Sequence, residues 1–218
     1  MTKTAQNDVL GMDTASLLIE SDLSAPLTLS TSGAPDSGLS ALPNADRLVI
    51  LDKSVEGWQN LAQGTLSGSD VYVIDPTRDG LTQIGEILGF YNSVKNLHIV
   101  SHGNAGSFTL AGRSIDASNL NSNQLAWRDR FTDDADILLY GCNIAADSSG
   151  LNFIKTLGDL TGADVAASVD LTGATAAGGN WILEANYGQI ESNLAFTEAR
   201  SRLTQAFCPT LKFNIQIS

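Results

Sequence analysis

Two residues with reactive side chains stand beside glycines in this sequence. His102 and Cys142 each end an apolar run of strand length, and they adjoin Gly103 and Gly141, respectively. The two residues are 40 positions apart. A thiolate is a strong nucleophile, and an imidazole can take its proton and later donate a proton to a leaving group. The pair therefore has the residue types that acyl transfer requires.

The neighbouring glycines favour the same chemistry. A glycine lets the backbone approach a substrate closely and leaves N–H groups available to hold a tetrahedral oxyanion. The amides of Gly103 and Cys142 are the candidates for such an oxyanion hole. Removal of one oxyanion donor typically costs about 3 kcal/mol of transition-state stabilisation.

Apolar runs alternate with amphipathic segments along most of the chain. Strands are predicted at residues 47–52, 71–75, 97–101, 136–140 and 163–169, and helices at 54–63 with Ser54 as N-cap, 80–92, 119–131 and 150–160. This alternation is typical of a parallel sheet covered on both faces. We predict an α/β fold, a three-layer αβα sandwich with a mainly parallel sheet. A small hairpin over residues 108–115 and a C-terminal β-hairpin over residues 180–191 complete the prediction.

The carboxyl ends of parallel strands meet at one edge of a sheet, where such folds place their sites. That edge is predicted to carry His102, Cys142, Asp52, Asp75 and Asp170. The three aspartates are candidates to bind a basic substrate side chain. The alternative is that they cap the following helices, which the sequence Asp75–Pro76 fits well.

Other residues have plainer interpretations. His98 and His102 would lie about 13 Å apart on one strand face, too far for a shared metal ion. We therefore expect His98 to be a hydrogen-bonded structural residue. Asp133, Asp134 and Asp136 lack an EF-hand pattern and are predicted to form a solvated turn. No metal site and no cofactor are predicted, and calcium has no specific motif in its favour.

The two cysteines, Cys142 and Cys208, do not indicate a disulfide framework. Cys142 ends an apolar run, whereas Cys208 lies near the C-terminus. A cysteine that ends a strand is more often a small buried apolar residue than a nucleophile. Only its combination with His102 favours catalysis.

Length and composition indicate one domain flanked by tails. The chain has 218 residues, of which 43% are apolar, and its mean hydropathy is +0.02. Residues 1–45 are predicted to be a flexible N-terminal segment and linker, and residues 46–197 to form the α/β domain. Residues 198–218 are predicted to be a tail or the start of a truncated further region.

Charge and hydropathy bear on partners and location. The formal charge is −12 and the pI is about 4.3, which disfavours nucleic acid and anionic lipid surfaces. The chain has no apolar run of membrane-spanning length, so no membrane insertion is expected. Residues 1–20 contain no continuous apolar h-region, so no Sec-type signal peptide is expected. We expect a secreted or cell-surface protein exported by another route, with a cytoplasmic location as the alternative.

The order of these motifs resembles that of caspase-like (clan CD) cysteine peptidases, which include caspases, gingipains, clostripain and separase. More closely, the stretches HIVSHGNAG, ILLYGCNIA, GADVAASVDLTG and NWILE resemble the DUF4347-type domain found near the N-terminus of large bacterial surface and repeat proteins. The likeness covers about residues 47–195.

The peptidase resemblance implies a His-Cys dyad of His102 and Cys142, with Gly103 as an oxyanion amide. It also implies that Tyr140 and the loop at Asp52 line the specificity pocket. Gly141 and Tyr140 replace the alanine and glutamine of caspases, so caspase specificity for aspartate is not implied. Two function classes follow. One is a cysteine endopeptidase whose substrate is a peptide or protein, including its own parent chain; the other is a non-catalytic folding or interaction module of a bacterial adhesin.

Overall fold

Short apolar segments form the strands and amphipathic segments form the helices of this protein. The computed structural model describes residues 42–121 and 126–197. In chain order, its elements are β1 (Asn44–Ala45), β2 (Arg47–Asp52), α1 (Trp58–Gly64), β3 (Ser69–Ile74), α2 (Gly80–Leu88), β4 (Ser93–Val100), β5 (Gly103–Asn104), β6 (Ser107–Leu110), β7 (Arg113–Asp116), β8 (Phe131–Tyr140), α3 (Ser148–Thr161), β9 (Asp164–Ala167) and β10 (Ala185–Tyr187).

Seven of these strands form one mainly parallel sheet. Its order is β10-β9-β8-β4-β2-β3, and β1 pairs with the start of β4. β10 runs antiparallel to β9, while the other pairs are parallel. The register aligns Leu48 with Leu97 and Leu97 with Ile137, which places apolar side chains of neighbouring strands in rows. The predicted mixed α/β class with a mainly parallel sheet is therefore confirmed.

Helices cover both faces of this sheet. On one face, α2 and α3 bury Ile84, Phe153 and Leu157 against the strands. On the other face, Leu61 of α1 packs with Val49 and other buried residues. The segment that contains Ala195 and Phe196 covers this second face as well. The sheet therefore lies between two buried apolar layers, one on each face.

The small second sheet, β5-β6-β7, adjoins the end of β4. Its β6–β7 hairpin confirms the predicted hairpin near residues 108–115. Ala111 and Gly112 have φ values of 49° and 73°, and two consecutive positive φ angles are what a tight two-residue hairpin turn requires. The turn is fastened to the main sheet because the Ala111 N–H donates to Asp52 Oδ2 over 2.7 Å.

Several helix boundaries differ from the predictions. α1 begins at Trp58, and its N-cap is Gly57 rather than Ser54. Ser54 instead donates from its N–H and hydroxyl to Asp52. The prediction of a helix over 119–131 is wrong at its end, where a 3₁₀ turn at Arg128–Arg130 leads directly into β8; residues 122–125 lie outside the described part.

Two strand predictions also need correction. Asp133, Asp134 and Asp136 lie within the ten-residue strand β8, not in a turn. The predicted C-terminal hairpin is absent from the described residues, because Ala185–Tyr187 pairs with β9 instead. A second hairpin strand would need backbone N–H groups that are used elsewhere. The Gln189 N–H donates to the Asp164 carboxylate, and the Glu191 and Ser192 N–H groups donate to the Asp136 carboxylate.

The predicted linker ends earlier than expected, since Asn44–Ala45 already pairs with β4. The rest of the predicted N-terminal segment and all of the predicted tail fall on residues 1–41 and 198–218, outside the described residues. Within the described part, no helix has the length and apolar character needed to cross a membrane.

Two leucines of α3 test the assignment of its buried face. We predict that Leu157→Ala lowers the free energy of unfolding by about 3 kcal/mol, because Leu157 is 1% exposed in the core. Leu151→Ala is the matched control: this leucine lies on the same helix but is 52% exposed, so a change within about 0.5 kcal/mol is expected. Urea denaturation followed by circular dichroism measures both, and equal losses would contradict the assignment.

Candidate functional site

The ends of β4 and β8 bring His102 and Cys142 to matching positions. Val100 is aligned with Tyr140 in the parallel register, and the Ser101 N–H donates to the Tyr140 carbonyl over 3.0 Å. His102 and Cys142 each lie two residues beyond this aligned pair. The predicted convergence of the two residues at one edge of the sheet therefore follows from the strand pairing.

Gly103 lies directly against the backbone of Cys142. A Cβ atom at Gly103 would be 2.7 Å from the Cys142 carbonyl oxygen and 2.9 Å from the Cys142 nitrogen. A Cβ at Gly141 would be 2.9 Å from the Ser101 carbonyl oxygen and 3.2 Å from the Gly103 nitrogen. Real Cβ atoms do not tolerate the shorter of these separations, so this crossing requires glycine at both positions.

The Gly103 N–H points away from β6. The Thr109 N–H donates to the His102 carbonyl over 2.8 Å, which makes His102 and Thr109 a hydrogen-bonded pair of the antiparallel ladder. The next pair, Gly103 and Phe108, is then a non-hydrogen-bonded pair because the two kinds alternate. The Gly103 N–H is therefore not used by the β5–β6 ladder.

The buried carboxylate of Asp52 positions Ser54, which contacts the His102 ring. Nε2 of His102 lies 3.1 Å from the Ser54 carbonyl oxygen. Since a carbonyl only accepts, Nε2 carries the proton in this contact. Ser54 is fixed in turn by Asp52, whose Oδ1 accepts from the Ser54 N–H at 2.8 Å and from its hydroxyl at 2.7 Å. Asp52 is 2% exposed, and Oδ2 accepts from Ala111, so both of its oxygens have partners within the protein.

Cys142 is enclosed in the structure. It is 1% exposed and packs in an apolar cluster with Val100, Tyr140 and Phe196. Cys142 is disulfide-bonded, a state that the two cysteines did not indicate in the sequence. The only other cysteine in the sequence, Cys208, lies outside the described residues. A sulfur in a disulfide is not a thiolate nucleophile, and the residue has no nucleophilic function in this state.

The loop after β9 supports the loop that carries Cys142. The Asn143 N–H donates to the Asp170 carbonyl over 2.8 Å, and Cys142 Sγ lies 3.8 Å from the Thr172 carbonyl oxygen. The Asp170 carboxylate accepts from Asn180 Nδ2 at 3.0 and 2.9 Å. Asn143 has a φ of 59°, a left-handed conformation that asparagine tolerates. The sequence predicted Asp170 at this edge of the sheet. It could not predict that the Asp170 carbonyl holds the Cys142 loop, because a backbone hydrogen bond of this kind does not depend on the residue type.

Asp75 is not brought close to His102. It follows β3, and β2 lies between β3 and β4 in the sheet. Its carboxylate accepts from the N–H and hydroxyl of Thr77, and these hydrogen bonds lower the pKa of Asp75. Asp75 thus organises its own turn at the outer part of the edge.

Tyr140 lies inside the core and beside a cavity. Its ring is 1% exposed and contacts Trp181 and Phe196 at centroid distances of 5.6 and 6.2 Å. Burial raises the pKa of Tyr140. A cavity of about 320 Å³ is lined by Leu138, Tyr140, Ala166, Trp181, Leu183, Asn186, Ile190, Ser192 and Leu194. None of these lining residues carries a charge.

His98 departs from its predicted state. It is fully buried, and neither ring nitrogen has a hydrogen-bond partner, so the expectation of a hydrogen-bonded histidine is wrong. The ring stacks on Tyr140 with centroids 5.9 Å apart and an interplanar angle of 4°. Burial, with a smaller contribution from the charge of Arg47, lowers the pKa of His98 to about 3. The imidazole is therefore neutral at neutral pH.

His98 makes stability depend on pH. Between its lowered folded pKa of about 3 and its ordinary value of 6.5, the unfolded chain binds a proton that the folded chain does not, so stability falls as pH falls. We predict that the wild type loses about 2 kcal/mol more than His98→Phe between pH 7 and pH 5. Urea denaturation at both pH values measures the difference. The same loss in both proteins would show that His98 is not buried as a neutral ring.

Comparisons with known proteins identify the family. No curated protein and no solved structure matches the chain. A family model described as "Domain of unknown function (DUF4347)" matches residues 48–206, which is more than half of the chain and includes both His102 and Cys142. The chain therefore belongs to the DUF4347 family.

Proposed function

We propose that this protein is a latent cysteine endopeptidase with a caspase-like arrangement, in which His102 and Cys142 form the catalytic dyad once the disulfide is reduced. The observation that carries the proposal is the crossing of the two loops at the ends of β4 and β8. There, Gly103 contacts the Cys142 backbone so closely that no side chain fits. In acyl transfer, an oxyanion-hole amide must lie near the carbonyl that the nucleophile attacks, and this contact brings the Gly103 amide to the Cys142 loop.

Reduction is the first step of the proposed mechanism. An external dithiol breaks the S–S bond, supplies two electrons and two protons, and is itself oxidised to a disulfide. Cys142 is then a thiol. Nε2 of His102 donates to the Ser54 carbonyl, and Nδ1 is the proposed acceptor of the thiol proton.

Attack on the peptide carbonyl follows. As the proton moves from the thiol to His102, Sγ forms a bond to the carbonyl carbon and the carbonyl oxygen becomes an oxyanion. The N–H groups of Gly103 and Cys142 are the proposed donors to this oxyanion. The C–N bond then breaks, and the imidazolium gives its proton to the leaving amine. Water hydrolyses the remaining thioester and regenerates the thiol.

The cavity beside Tyr140 is the proposed binding site for a substrate side chain. Tyr140, which lines this cavity, lies two residues before Cys142 on β8. The uncharged lining favours an uncharged side chain over an aspartate. Asp52, Asp75 and Asp170 hold neighbouring groups of the protein, so they support a basic specificity less well. A peptide or protein, including a longer parent chain, is the proposed substrate.

The disulfide of Cys142 also bears on where the protein is located. Disulfide bonds persist mainly in oxidising compartments outside the cytoplasm. A secreted or cell-surface protein is therefore the proposed setting, and reduction by a thiol at that surface is the proposed trigger.

One observation favours a second candidate function. Cys142 is 1% exposed and disulfide-bonded, as is typical of a structural cysteine. In that case, the protein is a non-catalytic folding or interaction module of a bacterial surface protein. The two candidates differ in what reduction does to Cys142.

Thiol labelling separates them. We predict that iodoacetamide does not modify Cys142 in the oxidised chain and modifies it rapidly after dithiol treatment. His102→Ala is expected to slow labelling of the reduced chain by at least about tenfold, because the proton acceptor is lost. Peptide mass spectrometry gives the rate at each cysteine.

Histidine 98 supplies the matched control for that experiment. His98→Phe removes an imidazole that is not in the proposed dyad and should leave the labelling rate unchanged. Equally slow labelling of Cys142 and Cys208 in the reduced wild type would favour the non-catalytic module.

Peptide-bond cleavage tests the activity itself. We predict that the reduced chain generates new N-termini in a denatured protein substrate or in itself, and that Cys142→Ala lowers the rate at least about 1,000-fold. Mass spectrometry of the new termini measures both the rate and the preferred side chain. If no cleavage occurs with any substrate, or if Cys142→Ala cleaves as the wild type does, Cys142 is not a peptidase nucleophile.

A further inference from the structure

Three carboxylates converge at the edge of the sheet opposite to His102 and Cys142. Asp136 on β8 is paired in register with Asp164 on β9, and Glu191 follows β10. One carboxylate oxygen from each of the three residues lies within 4.8 Å of the others. Two oxygens that bind the same calcium ion at 2.3–2.6 Å are no farther apart than about this distance.

Asp136 is the buried member of this group, and one of its oxygens has no partner. The residue is 1% exposed. Oδ2 accepts from the N–H groups of Glu191 and Ser192 at 3.1 and 2.8 Å, whereas Oδ1 has no hydrogen bond. A buried carboxylate oxygen without a donor is costly, and a cation is the partner that removes this cost. The unpartnered oxygen belongs to the carboxylate that faces Asp164 and Glu191.

Among the described residues, no ion pair involves Asp136, Asp164 or Glu191. Lys95 is close enough for Glu191 to contribute to its raised pKa, but the largest cause is its hydrogen bond to Asp134. Its ammonium lies 2.9 Å from Asp134 Oδ2. Like charges this close repel each other strongly when one of them is buried. The group therefore has the charge and the spacing of a site for a divalent cation.

We propose that Asp136, Asp164 and Glu191 bind a calcium ion. The donors are all oxygens, which excludes the thiolate and imidazole sets that zinc and copper prefer. Asp164 is partly exposed and Glu191 is exposed, so water can supply further ligands on the outer side. Glu191 lies outside regular structure, and calcium accepts an irregular arrangement more readily than magnesium, which demands a near-octahedral one.

The ion would fasten the chain after β10 to the central sheet. This segment is already held by the N–H groups of Gln189 and Glu191, which donate to Asp164 and Asp136. Its residues Ile190 and Ser192 line the cavity beside Tyr140. Calcium would therefore stabilise one wall of that cavity, and it would do so whether or not the protein is a peptidase.

Calorimetric titration of the full chain with calcium chloride tests the site. We expect one ion per chain and an affinity of about 10⁻⁴ M, as in extracellular calcium modules. Glu191→Gln and Asp164→Asn should each weaken calcium binding at least about tenfold. Since Glu191 is exposed, its variant is expected to fold, which circular dichroism verifies. Asp133→Asn is the matched control, because it removes an exposed β8 charge outside the group and should leave the affinity unchanged.

Thermal unfolding distinguishes a specific site from general screening of the net charge of −12. Calcium should raise the melting temperature more than magnesium at equal ionic strength, and the excess should disappear in Glu191→Gln. If calcium binds Glu191→Gln and Asp164→Asn as tightly as the wild type, or if both metals stabilise all variants equally, the proposed site is wrong.

Discussion

The contact between Gly103 and the backbone of Cys142 is the constraint on which the rest of the site depends. It exists because β4 and β8 are adjacent, parallel and in register up to Val100 and Tyr140. The loops beyond the strands then approach more closely than any Cβ atom allows. The fold therefore fixes the backbone around His102 and Cys142 before any substrate is present, and such preorganisation is what acyl transfer requires.

Buried polar groups are a second organising feature of this sheet. Asp52 has donors for both oxygens and holds Ser54 and the β6–β7 turn in place. His98 lacks partners and remains neutral, because burial lowers its pKa to about 3. Asp136 has partners for one oxygen only. A neutral imidazole tolerates isolation better than a carboxylate does, and this difference is why the calcium proposal concerns Asp136 and not His98.

The sequence predicted the parts of the fold that depend on local patterns. Apolar runs marked the parallel strands, and positive-φ residues at Ala111 and Gly112 fit the predicted hairpin. It did not predict contacts made by side chains far apart in sequence. The carboxylates of Asp136 and Asp164 draw the chain after β10 away from a hairpin, and the Asp170 carbonyl holds Asn143. The disulfide bond of Cys142 was also missed, because the positions of two cysteines in a sequence do not show whether they are paired.

The proposed peptidase and the alternative module share this fold and differ in the chemistry of one sulfur atom. The pH dependence of alkylation by iodoacetamide in the reduced chain tests the difference most directly. If His102 and Cys142 form a dyad, the wild type reacts at lower pH than His102→Ala, because the imidazolium stabilises the thiolate. Coincident pH profiles for the two proteins would contradict the dyad.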